Sequence, residues 1–196
     1  MGEGARGVGH DLPNGKGRAV FLDRDGVLTE ALVRGGRAYA PVALEDFRIV
    51  EGAAAQVARL RDAGLRRIVV TNQPELARGT LDRRTLDRMH EILRAAVDLD
   101  DLFLCDHDPG EGCACHKPRP GLLLAAAARW HLDLRGSFLV GDRWRDIGAG
   151  AATGCFTILI ERPYSQCDAA DARVASLSDA VDVILARLGM SSPAGE

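Results

Sequence analysis

Aromatic residues are scarce in this chain: two Trp, two Tyr and five Phe make up 5% of 196 residues. That scarcity argues against recognition by base stacking. The formal net charge of −3 lacks the positive excess that a nucleic-acid surface demands. Long apolar runs are missing too. The longest, Leu122 to Ala128, meets Arg129 well short of a membrane span. Residues 1–17 are glycine-rich and contain no apolar stretch, so they read as a tail and not as a signal peptide. The five cysteines are an odd number, and with no export signal they argue for the reducing cytoplasm. With 46% hydrophobic and 27% charged residues, the chain has the make-up of one ordinary globular domain with a sizeable core.

Short β-rich runs alternate with helical patterns. Strands are predicted at Arg18 to Leu22, Arg67 to Thr71, Leu102 to Leu104, Ser137 to Val140 and Cys155 to Ile160. Helices are predicted near Ala53 to Ala63, Arg83 to Val97, Gly121 to Trp130 and Asp179 to Leu188. Gly64 and Gly189 stand where helix C-termini favour glycine, and Ser178 reads as an N-cap. Such alternation implies an α/β fold, a parallel sheet covered by helices on both faces. The domain is expected over residues 18–189, between tails at 1–17 and 190–196. Ligands of these sheets lie beyond the carboxyl ends of the strands. Asp23, Thr71, Cys105 and Asp142 all fall there.

Asp23-Arg24-Asp25 follows the apolar run Ala19 to Leu22, and Gly26 lets the chain turn. Residues i and i+2 of an extended chain share a side. Beside a divalent cation, two such carboxylates supply a nucleophile and an acid/base catalyst. Without one they are two solvated acids. Thr71-Asn72-Gln73 ends another strand and offers a hydroxyl and an amide to a phosphate oxygen, or simply caps a turn. Lys117, before a predicted helix, is a point charge for phosphate or a surface lysine. Asp142 is a hard oxygen ligand suited to Mg²⁺, and Arg143 beside it joins the phosphate-binding candidates. Asp146 either orients Asp142 or favours a helix dipole.

Cys105, His107, Cys113 and Cys115 form a second constellation, with Pro109, Gly110 and Gly112 bending the segment between them. Three thiolates and an imidazole complete the tetrahedral shell of a structural Zn²⁺. Such a closed shell would shape a loop and leave the chemistry elsewhere. Cys155 reads as a buried strand residue.

The ordered set Asp23-x-Asp25, Thr71, Lys117 and Asp142 resembles the four motifs of the haloacid dehalogenase (HAD) superfamily of phosphatases. Thr71-Asn72-Gln73, the Cys-x-His/Cys-x-Cys loop and the Lys117-Pro118 that follows resemble a narrower group. That group is the D-glycero-D-manno-heptose 1,7-bisphosphate 7-phosphatases, relatives of the histidinol-phosphatase domain. The resemblance implies a Rossmann-like core without a large cap, a catalytic Mg²⁺ and a structural zinc loop. It makes Asp23 the nucleophile and Asp25 the acid/base. It gives Mg²⁺ the Asp23 carboxylate, the Asp25 carbonyl and Asp142, and it sets Thr71 and Lys117 on the phosphate. Asn72, Arg143 and His116 complete the expected substrate contacts, and a monomer acting on a small phosphosugar is expected. Histidinol phosphate is the alternative substrate, and a catalytically inactive phosphosugar-binding protein the alternative class. Two departures stand near the substrate mouth. His116 replaces the group's arginine, leaving Arg78 or Arg119 as other readers of a second phosphate, and Pro74-Glu75-Leu76 replaces its Ser-Gly-Ile.

Overall fold

The computed structural model describes residues 15–167 and 169–190. In chain order these form β1 (Ala19–Leu22), β2 (Leu32–Arg34), β3 (Arg37–Tyr39), α1 (Ala53–Asp62), β4 (Arg66–Asn72), α2 (Arg83–Ala96), β5 (Asp101–Cys105), α3 (Gly121–Trp130), β6 (Phe138–Gly141), α4 (Trp144–Ala151), β7 (Phe156–Ile160), β8 (Ala172–Val174) and α5 (Leu177–Arg187). Most of the two expected tails lies outside the described residues. Gly17, within the first, is already joined to the fold, donating to the His131 carbonyl and accepting from the Asp133 amide.

Six strands make a sheet in the order β5-β4-β1-β6-β7-β8, every pair parallel. Strand β1 is buried throughout, as its unbroken apolar run requires for a sheet covered on both sides. Its alternate residues serve different layers. Val20 and Leu22 join the core under α1, α2 and α5, while Ala19 and Phe21 join the core under α3 and α4. Burying a side chain such as Phe21 stabilises the fold by about 1.5–3 kcal/mol. After β1 the chain builds outward through β4 and β5, then returns to the other side of β1 with β6. The crevice between β1 and β6 is therefore the switch point, where such sheets bind ligands.

Between β1 and α1, residues 23–52 carry only the antiparallel β2–β3 hairpin and one 3-10 turn, so the described residues hold no large cap. The hairpin turns on Gly35 and Gly36, both with positive φ. Gly64 and Gly189 have positive φ after α1 and α5, as expected. The N-cap of α5 is Ser176, whose hydroxyl accepts from the Asp179 amide, and not Ser178. The cap lies two residues earlier because Leu177 is buried as the first helical residue.

Candidate active site

Asp23 leaves the end of β1 with its amide bonded to the Val140 carbonyl of β6. Its Oδ1 accepts from Lys117 Nζ at 2.8 Å and from the Arg24 amide at 2.8 Å. Lys117 is 2% exposed and also reaches Asp146 Oδ1 at 2.6 Å and the Val70 carbonyl at 2.8 Å. A buried ammonium needs such company. Burial works against its charge, but Asp146 and then Asp23 outweigh that and hold it protonated above the usual lysine range. Asp146, in the first turn of α4, also accepts from the Arg143 amide at 3.1 Å. The helix-end reading of this acid fits the Arg143 bond; toward the site it pairs with Lys117, and no hydrogen bond joins it to Asp142.

Asp142 follows β6 and is wholly buried. Its Oδ2 accepts from Tyr164 Oη at 2.7 Å, while Oδ1 has no hydrogen-bond partner. The nearest cation to Oδ1 is Arg143 Nε, at 3.6 Å. Single carboxylate oxygens of Asp23, Asp142 and Asp146 lie within 4.8 Å of one another. Burial, then repulsion from Asp146, raises Asp23 from 3.8 to about 6, against the pull of Lys117 and Arg143. Burial, then Asp23 and Asp146, raises Asp142 to about 7. Gly26 makes room here: it holds positive φ, and a Cβ on it would strike the Asp142 carboxylate.

Asp25 turns its carboxylate to a different set of partners. Arg24 Nε and Nη2 bond its two oxygens at 3.0 and 2.9 Å, Thr29 Oγ1 donates at 3.0 Å and Gln73 Nε2 at 2.8 Å. With that carboxylate engaged, its backbone carbonyl is the group it could offer a cation. Arg24 is wholly buried and its Nη1 lies 3.2 Å from His90 Nε2. Burial and then Arg24 push His90 down to about 4, so it stays neutral and accepts.

Thr71 is buried at the end of β4, and its hydroxyl accepts from Gln73 Nε2 at 3.0 Å. Asn72, expected on phosphate, lines the cleft and clamps the loop beyond it. Its Oδ1 takes the Lys117 amide at 3.1 Å and its Nδ2 donates to the Lys117 carbonyl at 3.2 Å. These two bonds hold Lys117 in place. Arg143 lines the cleft with its guanidinium 6.0 Å from the Tyr164 ring centre. His116 also lines the cleft, but its Nδ1 is turned to the His107 carbonyl at 3.2 Å, and burial lowers its pKa. Of the alternative phosphate readers, Arg78 lines the cleft while paired with Asp108, and Arg119 is bonded to the Cys113 carbonyl.

Arg24, Thr29, Gln73 and Tyr164 are site residues that the sequence reading missed. Arg24 stood in view between the two acids, and Gln73 beside Thr71. Tyr164 gave no local signal, being separated from Asp142 by the whole of α4 and β7.

The other constellation assembles at the end of β5. Donor atoms of Cys105, His107, Cys113 and Cys115 lie within 4.8 Å of one another. The sulfur pairs stand 3.1, 3.5 and 3.7 Å apart, and all five cysteines are free. Tetrahedral Zn–S bonds of ~2.3 Å place sulfurs roughly 3.8 Å apart, close to this spacing. The His116 amide points at Cys113 Sγ at 3.4 Å; burial pushes the thiol up, but that contact and those with Cys115 and Cys105 together outweigh it and draw the thiol down to about 7.

A parallel sheet with an Asp-x-Asp pair at its switch point, and a lysine, a threonine and a further acid from later strand ends, defines a HAD-type hydrolase. The comparisons agree. Residues 114–184 match the family described as HAD-hydrolase-like. A D-glycero-β-D-manno-heptose-1,7-bisphosphate 7-phosphatase of Bordetella bronchiseptica is 35% identical over 152 residues, 74% of this chain and 80% of that protein. The enzyme of that name from Pseudomonas putida is 35% identical over 74% of this chain and 82% of its own length. A crystal structure of the B. bronchiseptica D,D-heptose 1,7-bisphosphate phosphatase, complexed with magnesium and phosphate, superposes with a TM-score of 0.75 at 29% identity. It covers 87% of this chain and 99% of that one. The chain belongs to this family of HAD-like phosphoric monoester hydrolases. Among the described residues no helix is long and apolar enough to cross a membrane.

Proposed function

We propose that this protein is a Mg²⁺-dependent phosphatase that hydrolyses D-glycero-D-manno-heptose 1,7-bisphosphate at position 7 through an aspartyl-phosphate on Asp23. The observation that carries the reading is the convergence of Asp23, Lys117, Asp142 and Asp146 on the β1–β6 switch point. The family's named substrate is the basis for the sugar.

The donor set fits a hard divalent cation. Three mutually repelling buried carboxylates and a partnerless Asp142 Oδ1 are what such an ion neutralises. When bound by Asp23, Asp142 and the Asp25 carbonyl, Mg²⁺ supplies charge neutralisation at the transferring phosphate. The Cys105, His107, Cys113 and Cys115 set fits Zn²⁺ in a closed structural role.

Phosphoryl transfer asks the protein for alignment and electrostatic stabilisation more than for covalent help. Both hydrogen bonds to Asp23 land on Oδ1, so Oδ2 is the oxygen presented to phosphorus. As its bond to phosphorus forms, the bond from phosphorus to the oxygen on C7 breaks, and Asp25, with Oδ1 released from Arg24 and carrying a proton, gives that proton to the departing alkoxide. Asp25 then takes a proton from water as that water attacks phosphorus and frees Asp23. Thr71 and Lys117 hold the phosphate oxygens meanwhile. Gln73, which bonds both Asp25 and Thr71, ties the proton donor to the phosphate cradle. We place the enzyme in the cytoplasm as a monomer.

A phosphate-release panel tests the reading, with heptose 1,7-bisphosphate, heptose 7-phosphate, other sugar phosphates and histidinol phosphate compared by kcat/KM. The bisphosphate is expected to lead. Histidinol phosphate leading would overturn the substrate, and no turnover of any ester would favour a binding protein.

A further inference from the structure

We infer that Glu75 reads the hydroxyl-bearing carbon chain of the substrate and so sets this chain's preference among phosphate esters. The inference rests on the sugar-phosphate reading above and adds the group recognised away from phosphorus. Glu75 lines the same cleft of about 380 Å³ as Asp23, Asp25 and Lys117. Its Oε2 is buried and has no hydrogen-bond partner. Buried acceptors in folded proteins are nearly always bonded, and a bare charged one is the least tolerable kind.

Two side-chain donors close to Glu75 in the chain are already in use. Arg78 Nε pairs with Asp108 at 2.5 Å, and Gln73 Nε2 serves Asp25 and Thr71. The backbone behind Glu75 is fixed: its carbonyl accepts from the amides of Thr80 at 3.0 Å and Leu81 at 3.2 Å. Apart from Glu75 and the acids Asp23, Asp25 and Asp146, the charged groups on the cleft wall are cations, among them Arg37, Arg78, Arg143 and Arg145. A carboxylate among them repels phosphate, so its fitting partner is a donor on the substrate. The hydroxyls of a sugar chain are such donors, and an aryl phosphate has none. An ammonium group would suit the same oxygen, and the test separates the two.

The test measures kcat/KM with Mg²⁺ on heptose 1,7-bisphosphate, other sugar phosphates, histidinol phosphate and p-nitrophenyl phosphate. The proteins are the full chain, Glu75→Ala and Glu75→Gln, with Tm recorded for each. The decisive quantity is the ratio of kcat/KM on the best sugar phosphate to that on p-nitrophenyl phosphate. In Glu75→Ala this ratio is expected to fall about 10- to 100-fold, more through KM than kcat, as for a lost hydrogen bond to a charged group. In Glu75→Gln the fall is expected to be smaller, because the amide oxygen still accepts. Should the alanine variant not fold, the near-isosteric glutamine variant decides by the same ratio. Equal gains on both esters would mean that Glu75 only repels anions, and equal losses that it only supports the loop; either overturns the inference. A loss confined to histidinol phosphate would replace the hydroxyl by an ammonium and overturn it as well. Which ester the unaltered chain prefers is a separate result, and it judges the heptose reading alone.

Discussion

The carboxylate site and the thiol loop sit at the same edge of one sheet and are assembled in opposite ways. The thiol loop takes all its donors from Cys105 to Cys115, one short excursion after β5. The carboxylate site gathers Asp23, Lys117, Asp142 and Asp146 from three separate strand and helix ends. A soft, closed shell can be built locally; a hard, open one needs the whole sheet to bring its charges together. The two meet at Lys117, which follows the last cysteine by two residues and is clamped by Asn72 on both its amide and its carbonyl. The loop therefore reaches the chemistry chiefly by setting where the ammonium stands, with Pro109 and His116 also lining the cleft.

The sharpest way to break the comparison is Asp23→Asn. An amide cannot attack phosphorus, so kcat is expected to fall at least ~10³-fold. In metal-free protein the same change is expected to hold or raise Tm, because burial and Asp146 already oppose the ionised acid. Activity loss accompanied by unfolding would show that the carboxylate is structural, like the thiols.

Cys113→Ser probes the other side. The purified protein is expected to carry about one zinc per chain by elemental analysis, and the variant far less. Tm is expected to fall by roughly 5–15 °C, the scale of a few kcal/mol in a domain of this size. Loss of activity is expected to follow the loss of fold. No zinc in the native protein, or an unchanged Tm, would remove the metal from the loop.

Much of this contrast was legible in the sequence, for physical reasons. The thiol loop announced itself because its ligands are neighbours in the chain. Asp23, Thr71 and Asp142 announced themselves because apolar runs ended at each. What stayed hidden depended on packing. Helix α4 was missed as an element because Gly148 and Gly150 weaken its local signal. Those glycines let it lie close: a Cβ on Gly150 would meet Thr157 at 2.6 Å, and one on Gly148 would meet Pro118 at 2.8 Å. The β2–β3 hairpin was missed because its strands are three residues each, although Gly35-Gly36 marked the turn. The clamp that Asn72 makes was not legible because its partner lies on a loop 45 residues away. One signal went unused: Lys117 is one of only two lysines in an arginine-rich chain.

The carboxylate site also carries a pH signature opposite in sign to that of Cys113 in the thiol loop, which is drawn down to about 7. Asp23 at about 6 and Asp142 at about 7 both lie above the ordinary 3.8. Groups raised by folding stabilise the metal-free fold while protonated. That contribution is fully present below about pH 4 and is lost as pH rises through 6 and 7. Mg²⁺ binds the ionised forms, so its gain in Tm is expected to be small near pH 5 and to grow through about 6–7. Calorimetry with and without Mg²⁺ over a pH series checks this. A gain that is flat with pH, or that shrinks as pH rises, would contradict the proposed coupling.

The finest probe is Tyr164→Phe, which removes one hydrogen bond and leaves every proposed ligand in place. Tyr164 Oη donates to Asp142 Oδ2 at 2.7 Å, which leaves Oδ1 for a cation. Burial and then Asp142 raise the phenol above its ordinary range, so it remains a donor throughout the working pH. Partners of this kind orient a ligand, and their loss typically weakens metal binding about 10- to 100-fold. The low end, about 10-fold in the Mg²⁺ concentration for half activation, is expected here because Gly26 and the β6 end still confine Asp142. The kcat at saturating Mg²⁺ is expected to change much less than that concentration. The bond also favours the ionised carboxylate, so without it the pH midpoint of the Mg²⁺-induced gain in Tm should move upward. An unchanged Mg²⁺ requirement together with an unmoved midpoint would show that Asp142 is held by the strand alone. The carboxylate site would then be as locally determined as the thiol loop, and the contrast between the two would lose its long-range half.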